Sequence, residues 1–393
     1  MRTSAPRSKT ALVVSYSDIP RDPRVYRQTE WLTSDGWDVD VIGLGTEPPV
    51  SVRDTFTLSA PAKWLTSKIG YVVAGAVLPR RFSFRRQLLD RVPEVARERV
   101  KRGEYDLIVL NEVEFLPWLA NTKSLGAALG KAHIHVDLHE KHRPDRRRNT
   151  LGAKLASPYY RWQYRQIANP HIDTRTVVNE EIGNLYVKEL GIETPTPSRN
   201  VPAYEDIQPV ERGDGKIKLL FHGMGSTERG LQQIVDAMSL LPKNFEAYFM
   251  IMPDPATHAW LQSLIKSSPA RERMAVVPPA PMLEIAKRIN EYDVEVVYLP
   301  PLKDNLKYAS PNKFYEAVQG RLALAVRDDL TMAPWVRKWG NGIVVPGHSG
   351  RELAASLKEL TPDEVLRMKS SSHVVAQSVN AEAEGRRFLE IVS

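Results

Sequence analysis

Short apolar runs alternate with amphipathic segments along the first half of the chain, and this alternation constrains the fold more than any other feature. The run ALVVSYS (Ala11–Ser17) is typical of a buried strand, and PRVYRQTEWLTSDG follows as a helix with Pro23 near its start and Gly36 at its end. Further strands are predicted at WDVDVIGL, Tyr105–Glu112, His133–Glu140 and TRTVVN. Strands that alternate with helices predict a parallel sheet covered by helices on both faces.

The same alternation restarts after Gly191–Gly215, a stretch rich in Pro, Gly and charge that has no periodicity. KIKLLFHG, EAYFMIM, VEVVYLP, LALAV and GIVV are predicted strands, with helical patterns between them. The sequence therefore predicts an α/β protein with two tandem Rossmann-like, doubly wound domains. We expect residues 1–200 to form the first domain and 201–375 the second, and a helix at about 376–393 to pack back on the first.

Composition excludes several kinds of site. The 393 residues include no cysteine, so disulfides, thiolate metal sites and cysteine nucleophiles are excluded, which fits a reducing cytoplasm. We interpret the N-terminus as lacking a signal peptide, because its apolar run is short and soon becomes polar. No apolar run approaches the 18 residues that a membrane-spanning helix needs.

The positive charge is concentrated in the first half of the chain. Residues 1–200 contain 31 Lys/Arg and 23 Asp/Glu, net +8, whereas the remainder contains 23 and 24, net −1. A basic half indicates contact with something anionic, such as a membrane surface or a phosphorylated substrate. The alternative is a basic face that only meets solvent.

The stretch SPNKFYEAVQG reads as a helix with its ends marked. Ser310 is a suitable N-cap, Pro311 suits the first helical position, and Gly320 occupies the C′ position. Lys313 and Glu316 lie one turn apart on one face, near the helix start.

The start of such a helix favours an anion, because its N–H groups are unpaired and its dipole is positive there. Lys313 adds a cation, and Glu316 could accept hydrogen bonds from vicinal hydroxyls, as acidic residues do for ribose in dinucleotide folds. Together they indicate a nucleoside diphosphate. The alternative is an ordinary surface ion pair at i, i+3 spacing, worth a few tenths of a kcal/mol.

A glycine-rich loop precedes a helix in FHGMGSTERGLQQI, where Gly223 and Gly225 allow a ligand to approach the backbone and Arg229 offers a planar fork suited to phosphate. The loop is neither a Walker motif nor the dinucleotide G-x-G-x-x-G. By itself it is a weak signal.

The order and spacing of these segments are more specific. A strand, a glycine loop and an RGL helix, followed about 80 residues later by SPNKFYEAVQG and LALAV, resemble the nucleotide-sugar half of family-4 glycosyltransferases, which have the GT-B fold. In the first half, DIPRDPRVYRQTEWLTSDGWDVDVIGL, HVDLHE and RNVP also resemble segments of that family. The resemblance implies two domains facing a cleft, and transfer of a hexosyl group from a nucleoside diphosphate sugar with retention of configuration. It implies no cofactor and no required metal.

Residue roles follow from the same resemblance. It implies catalytic roles for His139, Arg229 and Lys313. Tyr308 stands where many members have a glutamate near the transferred sugar, which leaves the sugar unidentified. The donor-binding residues that it implies are Gly223, Gly225, Arg229, Tyr308, Ser310, Pro311, Asn312, Lys313 and Glu316.

His139 has a structural alternative, since it ends a predicted strand, and its neighbours Asp137 and Glu140 could each orient it or bind an acceptor hydroxyl. Two apparent metal motifs are set aside. Asp38–Asp40 matches a metal-binding Asp-x-Asp but lies in an alternating strand pattern. The histidines at 133, 135, 139 and 142 have irregular spacing relative to carboxylates, so no metal site is predicted.

The segment Trp64–Gln87 joins an apolar run of about ten residues to Arg80, Arg81, Arg85 and Arg86. It could lie at a membrane interface, or it could be a buried helix with a solvated basic end.

We therefore expect a cytoplasmic glycosyltransferase, peripheral on the inner face of the cell membrane, which acts on a lipid-linked or cell-surface glycan precursor. Its expected partners are a nucleotide-sugar donor, that acceptor and an anionic membrane surface, and not nucleic acid. The alternatives are a GT-B nucleotide-sugar epimerase, a non-catalytic scaffold of the same fold, and a basic nucleic-acid-binding protein.

Overall fold

A computed structural model describes residues 8–48, 50–142, 151–299 and 307–393. The chain divides into two compact units. The first consists of Met1–Arg199 with Gly385–Ser393, and the second is Asn200–Glu384.

In the first unit the described residues form a seven-stranded parallel sheet in the order β3-β2-β1-β4-β5-β6-β7. Its central strands are buried on both faces because helices cover them, as their continuous apolar sequences predict. The strands are β1 Thr10–Asp18, β2 Asp38–Leu44, β3 Asp54–Thr57, β4 Leu107–Asn111, β5 His133–Leu138, β6 Thr174–Val177 and β7 Thr196–Pro197.

Capping residues set the ends of several helices in this unit. Asp22 accepts hydrogen bonds from the backbone N–H groups of Arg24 and Val25, and Asn179 caps the last helix. Gly191 ends that helix in the left-handed conformation. The α-helices are Pro23–Ser34, Lys63–Thr66, Lys68–Val72, Arg80–Gln87, Glu94–Lys101, Thr122–Leu125, Leu151–Arg165 and Glu180–Leu190, with a π-helical turn at Val73–Val77.

The second unit has a six-stranded parallel sheet among its described residues, in the order β10-β9-β8-β11-β12-β13. The strands are β8 Ile217–Gly223, β9 Phe245–Ile251, β10 Met274–Val277, β11 Val294–Val297, β12 Ala323–Arg327 and β13 Gly342–Val345. The α-helices are Leu231–Met238, Pro255–Ser267, Ile285–Ile289, Asn312–Gln319, Ala333–Trp339, Gly350–Leu357, Pro362–Ala376 and Ala381–Val392.

The predicted fold class, two Rossmann-like parallel sheets in tandem, is confirmed. Three strands were not predicted: β3, β7 and β10. All three lie at sheet edges, and each has at most four residues. A short edge strand is half exposed, so it lacks the continuous apolar run that marks a central strand.

The C-terminal helix contributes its last residues to the first unit. The ring of Phe388 lies 5.5 Å from that of Trp31 and 5.4 Å from that of His135. Gly385 lies against the Trp31 indole, where a Cβ would clash. These contacts anchor the end of the chain on the first sheet.

Candidate active site

The glycine loop after β8 is held by a close backbone contact. Gly223 and Gly230 both have positive φ angles, 99° and 81°. A Cβ on Gly230 would overlap the carbonyl oxygen of Tyr298, just beyond β11, so only glycine fits there. The loop therefore lies tightly against the carboxyl ends of the central strands, where ligands bind in open α/β sheets.

Arg229 is partly exposed in this loop, next to Gly230. Among the described residues its guanidinium has no ion-pair partner. The predicted donor-binding residue Gly225 packs against Thr257 and Ile251, with little room for a side chain. Gly223 lies beside Lys313, with the Lys313 Cε 3.9 Å from where a Gly223 Cβ would be.

The helix after residue 310 begins one step later than predicted. It spans Asn312–Gln319, and Pro311 is its N-cap residue, with φ −70° and ψ 145°. The prediction of Ser310 as N-cap is wrong, because its hydroxyl instead hydrogen-bonds the hydroxyl of Tyr315 at 2.9 Å. No side chain in the described chain caps this helix, so the backbone N–H groups of Asn312 and Lys313 stay available to a ligand, whereas that of Phe314 donates to the Pro311 carbonyl.

The far end of this helix also differs from the prediction. Gly320 is the C-cap residue and has right-handed backbone angles, φ −78° and ψ −1°. The left-handed residue is Arg321, with φ 61°. Glycine is required at 320 by packing, because a Cβ there would clash with Ile289.

Lys313 is the least satisfied charged group in this region. Its residue is 6% exposed, and its ammonium lies 3.3 Å from the centroid of the Phe221 ring. Its nearest anion is the Glu295 carboxylate, at 4.0 Å, and within the described residues the ammonium has no hydrogen-bond partner. Burial lowers the pKa of Lys313 to about 8, and the charge of Arg229 adds to that effect.

Glu316 is held from the interior of the second unit. Its carboxylate bonds the His222 Nε2 at 2.9 Å, and the His222 Nδ1 bonds the carboxylate of Glu295 at 2.9 Å. All three residues are buried. Burial favours neutral His222, but the two carboxylates outweigh burial and raise its pKa to about 9.

These contacts rule out the alternative interpretation of an exposed i, i+3 ion pair. Lys313 and Glu316 are both buried, and the ion pair that Glu316 makes is with His222.

Two other predicted residues are Tyr308, in the segment before this helix, and Asn312, its first residue. Tyr308 is partly exposed, and its ring lies 5.7 Å below the ammonium of Lys307. The carbonyl of Ala309 accepts a hydrogen bond from the Thr331 hydroxyl, which ties the segment to the sheet. Asn312 accepts a hydrogen bond from the side chain of Asn200.

In the first unit, His139 lies just after β5 and is held by residues from the end of β4. Its Nε2 is 3.0 Å from the Asn111 side-chain oxygen, and its Nδ1 is 3.3 Å from the Glu112 carboxylate. Glu112 also accepts a hydrogen bond from the backbone N–H of His139, at 2.8 Å, and pairs with His142. Glu112 has φ 62°, an uncommon left-handed conformation that aims its carboxylate at both histidines.

These carboxylates control the protonation of His139. Burial alone would lower the pKa of His139, but Glu112 and Asp137 outweigh it and raise the pKa above its usual value. Burial would raise the pKa of Glu112, yet the neighbouring His142 and His139 lower it. The cluster therefore favours the protonated form of His139 and the ionised form of Glu112.

Asp137 is committed to structural contacts. It accepts two hydrogen bonds from the Arg24 guanidinium, at 2.6 and 2.8 Å, and others from Gln28 and Thr176. Its carboxylate remains 3.5 Å from the His139 Nε2. Asp137 therefore fastens β5 to the first helix while it faces His139.

Asp40 and His135, one residue from each apparent metal motif, have structural roles. Asp38 is exposed, whereas Asp40 is buried and paired with Arg53 and Arg99 at 2.6 and 2.9 Å, as the strand interpretation expects. His135 hydrogen-bonds threonine hydroxyls of β6, and burial lowers its pKa to about 4. The described residues contain no group of three or more His, Cys, Asp or Glu side chains placed to hold a metal.

Two residues that the sequence predictions missed are central to these clusters. Glu295 is a fully buried carboxylate inside the apolar strand VEVV, and Glu112 follows the carboxyl end of β4. Each had a signal: a lone charge within a buried strand, and a polar pair at the edge of the sheet where ligands bind.

The basic segment in the first unit is only partly buried. Ile69 and Val77 are 77% and 72% exposed, and Trp64 and Phe82 are exposed as well. Arg85 and Arg86 both pair with Asp90, at 3.1 and 3.3 Å, while Arg80 and Arg81 are exposed. Across the part of the chain that is described, no helix has the length and apolar character to cross a membrane. The basic sequence KHRPDRRR spans residues 141–148, and from 143 onward it lies outside the described residues.

The sequence matches no protein-family model and no curated protein. Solved structures match along nearly the full length. Sucrose-phosphate synthase from Thermosynechococcus elongatus is 16% identical, with a TM-score of 0.70 over 97% of this chain and 98% of that one. A glycosyltransferase from Rickettsia africae ESF-5 is 11% identical, with a TM-score of 0.66 over 98% of each.

HepE from Anabaena, solved in complex with UDP and glucose, is 12% identical, with a TM-score of 0.65 over 97% of this chain and 98% of that one. At such identities the similarity establishes the fold. The chain has the GT-B fold, with two Rossmann-like units, that the sequence resemblance predicts.

Proposed function

We propose that the protein is a glycosyltransferase that takes a sugar from a nucleoside diphosphate sugar bound to the second unit. The observation that carries this proposal is Lys313: a buried ammonium without a hydrogen-bond partner among the described residues, in the first turn of an uncapped helix. A buried cation is costly unless something pairs with it. A diphosphate at the helix N-terminus supplies the missing anion.

The chemistry follows from the charges around that position. Sugar transfer leaves negative charge on the departing diphosphate, and groups that stabilise this charge lower the barrier. Lys313, Arg229 and the N–H groups at the start of the Asn312–Gln319 helix supply positive charge near that position. We propose that transfer proceeds with retention and without a required metal, as in the family that the sequence resembles.

We assign the ribose of the donor to Glu316. One of its oxygens bonds His222, which leaves the other available to vicinal hydroxyls. Tyr308 stands where many members of the family that the sequence resembles have a glutamate near the transferred sugar, so the sugar itself is not assigned.

In the first unit, we assign His139 to the transferred sugar or the acceptor hydroxyl. Glu112 keeps the His139 ring oriented and favours the protonated form of His139. A protonated histidine can donate a hydrogen bond to an oxygen of the substrate, which would replace the Asn111 side-chain oxygen at Nε2.

We further propose that the acceptor is lipid-linked or part of a cell-surface glycan, and that the protein attaches to the cytoplasmic membrane. The supporting surface consists of the exposed apolar side chains Ile69, Val77 and Phe82 beside the exposed Arg80 and Arg81. Such a surface inserts shallowly among lipid headgroups and attracts anionic lipids, at about 1 kcal/mol for each basic residue.

Co-sedimentation with anionic and neutral vesicles at low and high salt tests this attachment. Changing Ile69 and Val77 to Ser should reduce vesicle binding. Changing Arg80 and Arg81 to Ser should also reduce vesicle binding, and the binding that remains should no longer depend on salt. Val374→Ser, at a site 66% exposed in the second unit, is the matched control. Equal binding to neutral vesicles would contradict the electrostatic contribution.

A panel of nucleoside diphosphate sugars tests the proposed function itself. A true donor should raise the melting temperature and be hydrolysed slowly to a nucleoside diphosphate and a sugar of retained configuration. Conversion of one nucleotide sugar into its epimer would indicate the epimerase alternative. Stabilisation by nucleic acid, with none by any nucleotide, would refute the proposal.

A further inference from the structure

Glu295, His222 and Glu316 form a chain of hydrogen bonds from the interior of the second sheet to the candidate donor site. Both ring nitrogens of His222 contact carboxylates at 2.9 Å, and the backbone N–H of His222 also donates to Glu295 at 3.3 Å. Ionised carboxylates only accept hydrogen bonds, so both ring nitrogens must donate. With both carboxylates ionised, the chain is satisfied only when His222 is an imidazolium.

We propose that His222 and Glu295 are positioning residues, which hold the Glu316 carboxylate in one orientation so that its free oxygen accepts the ribose hydroxyls of the donor. This inference rests on the proposed function, and it adds two residues that do not touch the nucleotide.

The burial of each residue supports these roles, in which Glu316 contacts the nucleotide and the other two residues position it. Glu295 is fully buried within β11 and points to His222 at the end of β8. Glu316 alone retains some exposure. A buried ion pair adds little stability compared with apolar residues of similar volume, so a three-residue chain inside a core is weak as a purely structural device.

Charge balance gives a second argument. Among the described residues, the charged groups of this cluster are the cations His222, Lys313 and Arg229 and the carboxylates Glu295 and Glu316. With all five ionised the cluster is net positive by one charge, which favours an anionic ligand. Loss of the imidazolium proton would leave Glu316 beside a neutral ring and would cancel that net charge.

The experiment compares UDP with 2′,3′-dideoxy-UDP by calorimetry, using ADP and GDP pairs if UDP does not bind. Wild type should bind the ribose form about 10- to 100-fold more tightly, as expected for hydrogen bonds to a charged group. His222→Asn and Glu295→Gln should each reduce this ratio by about fivefold or more, approaching that of Glu316→Gln. Asp293→Asn is the matched control, because Asp293 is also buried and pairs with Lys369 at 2.9 Å, but faces away from the site.

The pH dependence separates positioning from simple destabilisation. In wild type the ratio should stay constant up to about pH 9, where His222 loses its proton. In Glu295→Gln the pKa of His222 falls, so the ratio should decline between pH 6 and 9. A wild-type ratio and pH profile in both variants would overturn the inference. If a variant does not fold, the test is the preference of wild type for UDP over 2′,3′-dideoxy-UDP above pH 9. A preference that is unchanged above pH 9 would overturn the inference.

The two proposals fail in different ways. If wild type binds no nucleoside diphosphate, the proposed function fails and this inference fails with it. If wild type binds and prefers ribose while the His222 and Glu295 variants keep that preference, only the positioning roles fail.

Discussion

Replacing Lys313 by methionine should stabilise the free protein and weaken its binding of nucleoside diphosphates. Methionine has a similar length and fills the space against Phe221, but it carries no charge. The ammonium has no hydrogen-bond partner among the described residues, so its removal leaves no described group unsatisfied.

The magnitude follows from the pKa of Lys313, which falls from 10.5 to about 8 on folding. Each pKa unit corresponds to about 1.4 kcal/mol, so the buried charge costs about 3 kcal/mol at pH 7. The contact with the Phe221 ring returns up to about 2 kcal/mol, which the variant loses. We therefore expect a net gain of about 1–3 kcal/mol, or a melting temperature higher by about 2–4 °C per kcal/mol.

The pH dependence has a definite sign. The folded-state pKa lies below the unfolded one, so the cost of the charge is full below pH 8 and disappears as the pH rises to 10.5. The stability advantage of Lys313→Met should shrink over that interval. His222 contributes stability below pH 6.5 that is lost as the pH rises through about 9, but this change is common to both proteins and cancels in the comparison.

The same substitution should weaken the binding of nucleoside diphosphates. Loss of a charge-assisted contact to phosphate costs about 2–3 kcal/mol, roughly 30- to 150-fold in Kd. In wild type, UDP binding should weaken above pH 8 as free Lys313 loses its proton, and the variant should lack this dependence.

Thermal unfolding and calorimetry of the variant at pH 7 and 10 measure both effects. Lys369→Met is the contrasting control, because the Lys369 ammonium bonds Asp293 and the Tyr292 carbonyl, and its loss should destabilise the protein by about 3 kcal/mol. A destabilised Lys313→Met that keeps wild-type affinity for UDP would refute the reasoning.

Three further changes have direct measurements. Arg229→Ala should leave the fold intact and reduce turnover by roughly 2–4 kcal/mol in transition-state terms, and unchanged steady-state kinetics would remove Arg229 from the site. Glu112→Gln should lower the pKa of His139 in an NMR titration, because the carboxylate that raises it is gone; an unaltered titration would show that Glu112 does not control His139. Gly230→Ala should destabilise the protein by at least about 2 kcal/mol, whereas Gly340→Ala, with φ 62° and open space around it, should cost about 1 kcal/mol; similar melting temperatures for the two would contradict the close backbone contact.

The sequence by itself determined the fold class and the segments of the candidate donor site. Buried parallel strands are apolar throughout, and helix ends carry proline, glycine and capping residues, so local pattern was enough to place them. It located Arg229 in a glycine loop and Lys313 at a helix start, and it placed His139 after a strand. Short edge strands and the position of the Pro311 cap were missed, because neither has a distinctive local pattern.

Only the tertiary structure decided which charges meet. Glu295 and Glu316 are 21 positions apart and His222 is 73 before Glu295, yet their side chains form one hydrogen-bonded chain. Sequence spacing suggested an ion pair between Lys313 and Glu316, whereas in the structure Glu316 pairs with His222 and Lys313 is buried beside Phe221. Parallel strands bring their carboxyl ends together from distant parts of the chain, so partners across that edge are set by strand order, which no local pattern encodes.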